Sequence, residues 1–248
     1  MEEDGQAVGS RPVDRPWSVV DFVLIWLGGF LTSSVFFTVA FALRLENRGM
    51  LPVLGLVFQY TGWLGLFWLL RRQRSQAVGF DVQPGDVLYL GIGFFLQIVL
   101  ALALSPLARL LLPDGAPPQE VTEALAEIDT PIAKMMAVLA AGVVTPITEE
   151  LLHRGVLLKA IAHRSRRFVM VVTAAVFVLV HVTGLDPERP LASAAVVLPP
   201  IFLLGLVLAW VTLRRERLGP AIFIHSGWNL LAVLVLFLPQ ELLESPPI

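Results

Sequence analysis

Seven long apolar runs divide this chain, and they restrict its fold more than any other feature. They cover Trp17 to Leu43, Leu51 to Leu70, Val87 to Leu112, Pro131 to Ala162, Phe168 to Gly184, Leu191 to Leu213 and Gly219 to Leu238. Each is close to or above the ~20 residues that an α-helix needs to cross a ~30 Å hydrocarbon core. In lipid, backbone N–H and C=O groups must be satisfied inside the segment, which selects helices. Composition points the same way: 56% of residues are hydrophobic and only 15% charged, against roughly a quarter charged in soluble domains. Mean hydropathy is +0.76. The expected fold is an all-α, polytopic membrane helical bundle with the lipid bilayer as its solvent. It has seven transmembrane helices, or eight if Pro146 splits the fourth run in two.

The segments between the runs suggest an organisation. Residues 1–16 read as a flexible polar tail, because the start is acidic (Glu2, Glu3, Asp4) where a cleavable signal would be basic. Residues 17–112 hold the N-terminal transmembrane helices. Residues 113–130 read as a loop with a short interfacial helix, since Val121, Leu125 and Ile128 share one face. Residues 131–238 form a helical core that contains every candidate site residue, and 239–248 a C-terminal tail. Three connections are basic: Arg71, Arg72 and Arg74; Lys159, Arg164, Arg166 and Arg167; Arg214, Arg215 and Arg217. The positive-inside rule makes these cytoplasmic, with the N-terminus inside and, for seven spans, the C-terminus outside. An integral, multi-pass protein of a bacterial cytoplasmic membrane is expected. No basic patch interleaved with aromatics suggests nucleic acid as a partner.

A charged side chain at mid-bilayer costs about 2.5–3.5 kcal/mol on insertion scales, so the polar residues inside the runs carry functional information. Three clusters stand out: Thr145-Pro-Ile-Thr-Glu149-Glu150-Leu-Leu-His153-Arg154, Phe177-Val-Leu-Val-His181, and His225-Ser-Gly-Trp-Asn229. Helical spacing lets Glu150 pair with Arg154 and puts His225 and Asn229 on one face. Each cluster alone has a structural explanation: a helix start with acids near its positive end, a histidine at a helix terminus, and polar contacts between helices. Their depths argue for more. Glu149 and His181 each lie ~16 residues from the Ser165 turn, or ~24 Å along a helix, and Asn229 lies ~20 Å from the Glu216 turn. Unrelated structural residues have no reason to share a layer.

The chemistry available in that layer is limited. The chain has no cysteine, so there is no thiol nucleophile. Ser226 adjoins His225 but cannot face it on a helix. A carboxylate and an imidazole can deprotonate a water, while imidazole and carboxamide N–H groups can stabilise an oxyanion. Glu149, His181 and His225 could alternatively bind zinc as a His₂Glu hydrolase site, although the local His-Glu-x-x-His signature is absent.

The motifs Glu149-Glu150-x-x-x-Arg154, Phe177-x-x-x-His181 and His225-x-x-x-Asn229, in this order on successive membrane helices, resemble the CAAX protease and bacteriocin-processing (Abi) family, which includes the type II CAAX prenyl endopeptidases. The resemblance covers about Val144 to Leu238. It implies an intramembrane endopeptidase acting on a membrane-associated peptide or protein. By carry-over, Glu149 and His181 activate water, His225 and Asn229 stabilise the oxyanion, and Glu150 and Arg154 pair and orient Glu149. The preferred form of this reading requires no cofactor; zinc is the alternative. His153, where the family often has Phe, falls on the side of Glu149 by spacing and is expected to tune that carboxylate without being catalytic. Two other functions remain open: a non-catalytic scaffold or bacteriocin-immunity protein, and a small proton-coupled transporter, although no inverted repeat supports the latter.

Overall fold

The computed structural model describes residues 15–45, 50–74, 76–112, 125, 128 and 130–238. Most of the expected N-terminal tail, nearly all of the 113–130 loop with its interfacial helix, and the C-terminal tail lie outside the described residues. Of that loop, Ile128 is buried in a small cluster with Val53, Ala133 and Ala137.

Seven helices are long and apolar enough to cross a membrane, and no named strand occurs among the described residues. They are α1 (Val19–Ala42), α2 (Met50–Arg71), α3 (Leu90–Leu111, entered through a 3-10 turn at Pro84–Tyr89), α4 (Pro131–Ala160), α5 (Arg166–His181), α6 (Pro190–Arg215) and α7 (Gly219–Leu236). The bundle is built from antiparallel neighbours: α1 packs on α2, α5 on α6, and α7 on α3. The outside is apolar, as a lipid-facing surface should be, with Phe41, Leu88, Leu110 and Leu191 each more than three-quarters exposed.

The fourth run is one continuous helical segment, so Pro146 does not create an eighth span. The helix absorbs the proline with a π turn over Ala140–Val144, just ahead of the α-helical Thr145–Glu150. In that turn the Thr145 N–H reaches the Ala140 carbonyl. The next π-type bond would run from residue 146 to the Ala141 carbonyl, but proline has no N–H to give. Asn229 of α7 supplies the missing donor, with Nδ2 2.9 Å from the Ala141 oxygen. A second π turn covers Leu151–Leu157.

All three basic connections gather at one end of the bundle. Trp17 Nε1 donates to the Gln76 carbonyl at 3.0 Å, and Arg74 pairs with Asp21, the single acid of the first span. Asp21 therefore sits in a capping box with Ser18 at a helix start, where the dipole and Arg74 both stabilise it. The Leu218 and Gly219 N–H groups donate to the carbonyls of Gly79 and Asp81. Arg217 pairs with Asp86 at 2.7 Å, which raises its pKa above the usual guanidinium value. Arg166 donates to the Leu213 carbonyl at 2.7 Å. The arginines of the three basic connections therefore share one face of the molecule.

Two glycines set the α3–α7 distance. A Cβ on Gly93 would overlap the Ile224 carbonyl and the Trp228 amide, and one on Gly227 would overlap the Leu90 carbonyl. Both obstacles are backbone, which cannot move aside as a side chain can. Gly227→Ala is expected to cost about 1–3 kcal/mol, the usual range for overpacking, read as a lower thermal midpoint in detergent. Gly65→Ala, where the new methyl meets nothing within 4 Å, should leave the midpoint unchanged or raise it.

Candidate active site

The costly polar residues converge on one cavity of about 340 Å³ inside the bundle. Glu149 from α4, His181 from α5, and His225 and Asn229 from α7 all line it. Glu150 and Arg154 lie behind this wall, each 0% exposed. The layer inferred from residue counting is thus a physical chamber.

Contacts among these residues divide them into two groups. Glu150 Oε1 accepts from Arg154 Nη1 at 2.8 Å and lies 3.0 Å from His225 Nδ1. The second Arg154 terminal nitrogen donates to the Gly205 carbonyl on α6 at 3.1 Å. The chain Gly205–Arg154–Glu150–His225 therefore ties three helices together and fixes the imidazole of His225. This differs from the expected role of the pair, which was to orient Glu149. Consecutive residues of a helix point in different directions, so Glu150 turns to α7 while Glu149 turns to the cavity. Glu149 Oε2 has no hydrogen-bond partner among the described residues and lies 3.8 Å from His225 Nε2.

The histidine tautomers follow from their acceptors. His181 Nδ1 lies 2.9 Å from the Phe177 carbonyl, four residues back. A carbonyl only accepts, so Nδ1 carries the proton and the neutral ring presents a lone pair at Nε2. His153 makes the same bond to the Glu149 carbonyl at 2.9 Å, but it does not line the cavity. It is fully buried, wedged edge-on between Phe22 and Phe177 at ring separations of 5.4 and 5.2 Å. Its polar contact is to the backbone of residue 149 and not to the carboxylate it was expected to tune.

Phe177 is the packing hub of the site. Its ring meets His153, His181 and His225 edge-on at 5.1–5.5 Å. The Arg154 guanidinium sits 4.6 Å from its centroid, within cation–π range. The sequence marked Phe177 as part of a motif without giving it this task. Tyr60 of α2 was not identified at all. It is buried, lines the cavity, and its hydroxyl lies 2.6 Å from Thr145 Oγ1, one turn before Glu149. Both of the chain's tyrosines, Tyr60 and Tyr89, lie inside apolar runs, so residue type alone did not single Tyr60 out.

The alternative expectation was a zinc ion held by Glu149, His181 and His225. Among the described residues, no three His, Asp or Glu side chains are grouped so that they could hold a metal ion. His225 Nδ1 is turned to Glu150, and Glu149 approaches only the opposite nitrogen, at 3.8 Å. The set Glu149, His181 and His225 is not assembled as a ligand shell.

Comparison with known proteins locates the similarity in this region. The family model for "Type II CAAX prenyl endopeptidase Rce1-like" matches residues 131–231. No curated protein and no solved structure matches significantly. The matched segment runs from the first residue of α4 into α7 and includes Glu149, Glu150, Arg154, His181, His225 and Asn229. Residues 131–231 are thus similar to the Rce1-like type II CAAX prenyl endopeptidase family.

Proposed function

We propose that this protein is an intramembrane endopeptidase, residing in a bacterial cytoplasmic membrane, that hydrolyses a peptide bond of a membrane-associated substrate with a water activated by Glu149 and His181. The observation that carries the reading is the unpartnered Glu149 Oε2, buried in a cavity that His181, His225 and Asn229 also line. A buried carboxylate oxygen without a partner is costly unless something binds it.

The geometry suggests the following division of work. A water in the cavity donates one hydrogen bond to Glu149 and one to the His181 Nε2 lone pair, leaving an oxygen lone pair free to attack. As attack proceeds, Glu149 takes the proton, hydroxide adds to the amide carbon, and the carbonyl oxygen becomes an oxyanion. His225 Nε2 and the second N–H of Asn229 Nδ2 are the donors available to it. The other Asn229 N–H is held by the Ala141 carbonyl, which fixes the carboxamide plane. Donation from His225 Nε2 requires an imidazolium, because Nδ1 is committed to Glu150. That cation lies between the Glu149 and Glu150 carboxylates, with Arg154 offsetting one of them. The proton on Glu149 then passes to the leaving amine, giving one carboxylic acid and one amine from amide and water.

The test is cleavage by the purified protein in proteoliposomes, with membrane-anchored peptides as substrates. This reading requires no metal, so the cleavage rate should be unchanged after prolonged exposure to a strong chelator, and added zinc should not raise it. Loss of activity to the chelator, restored by zinc, would replace this mechanism with a metal-dependent one.

A further inference from the structure

The cavity extends in only one direction from the site. On α4 its lining runs from Glu149 back to Ala137, on α5 and the 3-10 turn after it from Phe177 on to Gly184, and on α7 from His225 on to Val233. In each helix this is the half farther from the basic connections. Toward the basic end the chamber is closed by buried side chains, and the pocket on that face, lined by Trp17, Phe67, Arg71, Arg74 and Leu151 among others, shares no lining residue with it. Trp63, Arg154, Val156, Leu218 and Ile222 lie between the chamber and the arginine face, all 4% exposed or less. All but Arg154 belong to the apolar cluster that joins α1, α2, α4 and α7.

The charges give this direction a meaning. The basic end holds Arg15, three arginines after α2, the Lys159–Arg167 cluster, and Arg214, Arg215 and Arg217, and hydrogen bonds join these connections into one face. Among the described residues the opposite half has fewer: Arg44, Arg109, Lys134 and Arg189. The Lys/Arg bias sets membrane orientation, so the plugged end is cytoplasmic and the chamber extends away from the cytoplasm. We infer that the site is reached from the extracytoplasmic side of the membrane, and that its substrates are segments of exported or membrane-inserted chains rather than cytosolic tails. The substrate class rests on the hydrolase reading above; the direction of access does not.

The absence of cysteine from the chain allows a direct test. Thr145→Cys places a thiol in the chamber one turn from Glu149, and His163→Cys places one in an exposed basic connection. Each full-length variant is expressed in bacterial cells, converted to spheroplasts, and treated with a sulfonated, membrane-impermeant maleimide. Thr145→Cys should be labelled in intact spheroplasts, and His163→Cys only after permeabilisation. Labelling of Thr145→Cys only after permeabilisation, or under neither condition, overturns the inference. If Thr145→Cys fails to accumulate, Thr183→Cys in the exposed 3-10 turn after α5, which also lines the chamber, decides by the same criterion. Labelling requires no turnover, so the inference can stand or fall independently of whether the protein cleaves peptides.

Discussion

Glu149→Gln is expected to abolish peptide cleavage while the folded bundle survives. The amide keeps the shape of the carboxylate but cannot take a proton from water. General bases contribute typically 10²–10⁴-fold, so the rate should fall by about that factor, enough to leave no product in an ordinary assay. The fold should tolerate the change because no described side chain hydrogen-bonds Glu149 Oε2 and no ion pair with a lysine or arginine depends on it. Removing a charge buried to 8% exposure also relieves desolvation. The thermal midpoint in detergent is therefore expected to hold or rise. Wild-type cleavage by the Gln variant would rule out the catalytic role. Preserved physiological function without cleavage would favour the scaffold or immunity reading.

Arg154→Leu should do the opposite, damaging stability first and activity as a consequence. The guanidinium is 0% exposed and bonds Glu150 and the Gly205 carbonyl together. Removing one partner of a buried ion pair typically costs 3–5 kcal/mol, because the other charge is left unpaired. Arg154→Lys should recover only part of this, since an ammonium lacks the planar fork that reaches two acceptors. The informative variant is the double substitution Glu150→Leu with Arg154→Leu. It removes both charges and should regain much of the lost thermal stability. Cleavage should remain low, because His225 Nδ1 loses the acceptor that fixes its ring. Full recovery of both stability and cleavage would show that Glu150 has no part in orienting His225.

The sequence exposed the site because lipid makes polar residues conspicuous. Glu149, His181, His225 and Asn229 were found by their cost in apolar runs and grouped by helical rise, and all four line one cavity. The Glu150–Arg154 pair was legible from i,i+4 spacing. Its other partner was not: Glu150 and His225 are 75 residues apart, and only the packing of α7 against α4 brings them together. His153 misled for a local reason. Spacing placed it near Glu149, but its Nδ1 found the nearer carbonyl of that residue and its ring was captured between Phe22 and Phe177. Tyr60 stayed hidden because an aromatic in an apolar run looks like core until a neighbouring helix gives its hydroxyl a partner. The number of spans was ambiguous because a proline can break or merely bend a helix, and the outcome depended on a donor from elsewhere in the chain.

The two π turns of α4 have a consequence for how this helix can change. Each lies directly beside the Thr145–Glu150 segment that carries the carboxylates, one before it and one after. A π turn accommodates one residue more per hydrogen-bonded loop than an α turn. Deleting a single residue from the first turn would let it relax to α geometry with the downstream phase nearly kept, whereas a deletion that no π turn absorbs would rotate everything downstream by about 100° relative to the start of the helix. Glu149 would then point away from the chamber with its own identity unchanged. The aim of the carboxylate is thus held by the residue count of α4 as well as by the glutamate itself: the π turns can absorb a one-residue deletion, and any length change they do not absorb would be as damaging as a substitution at position 149.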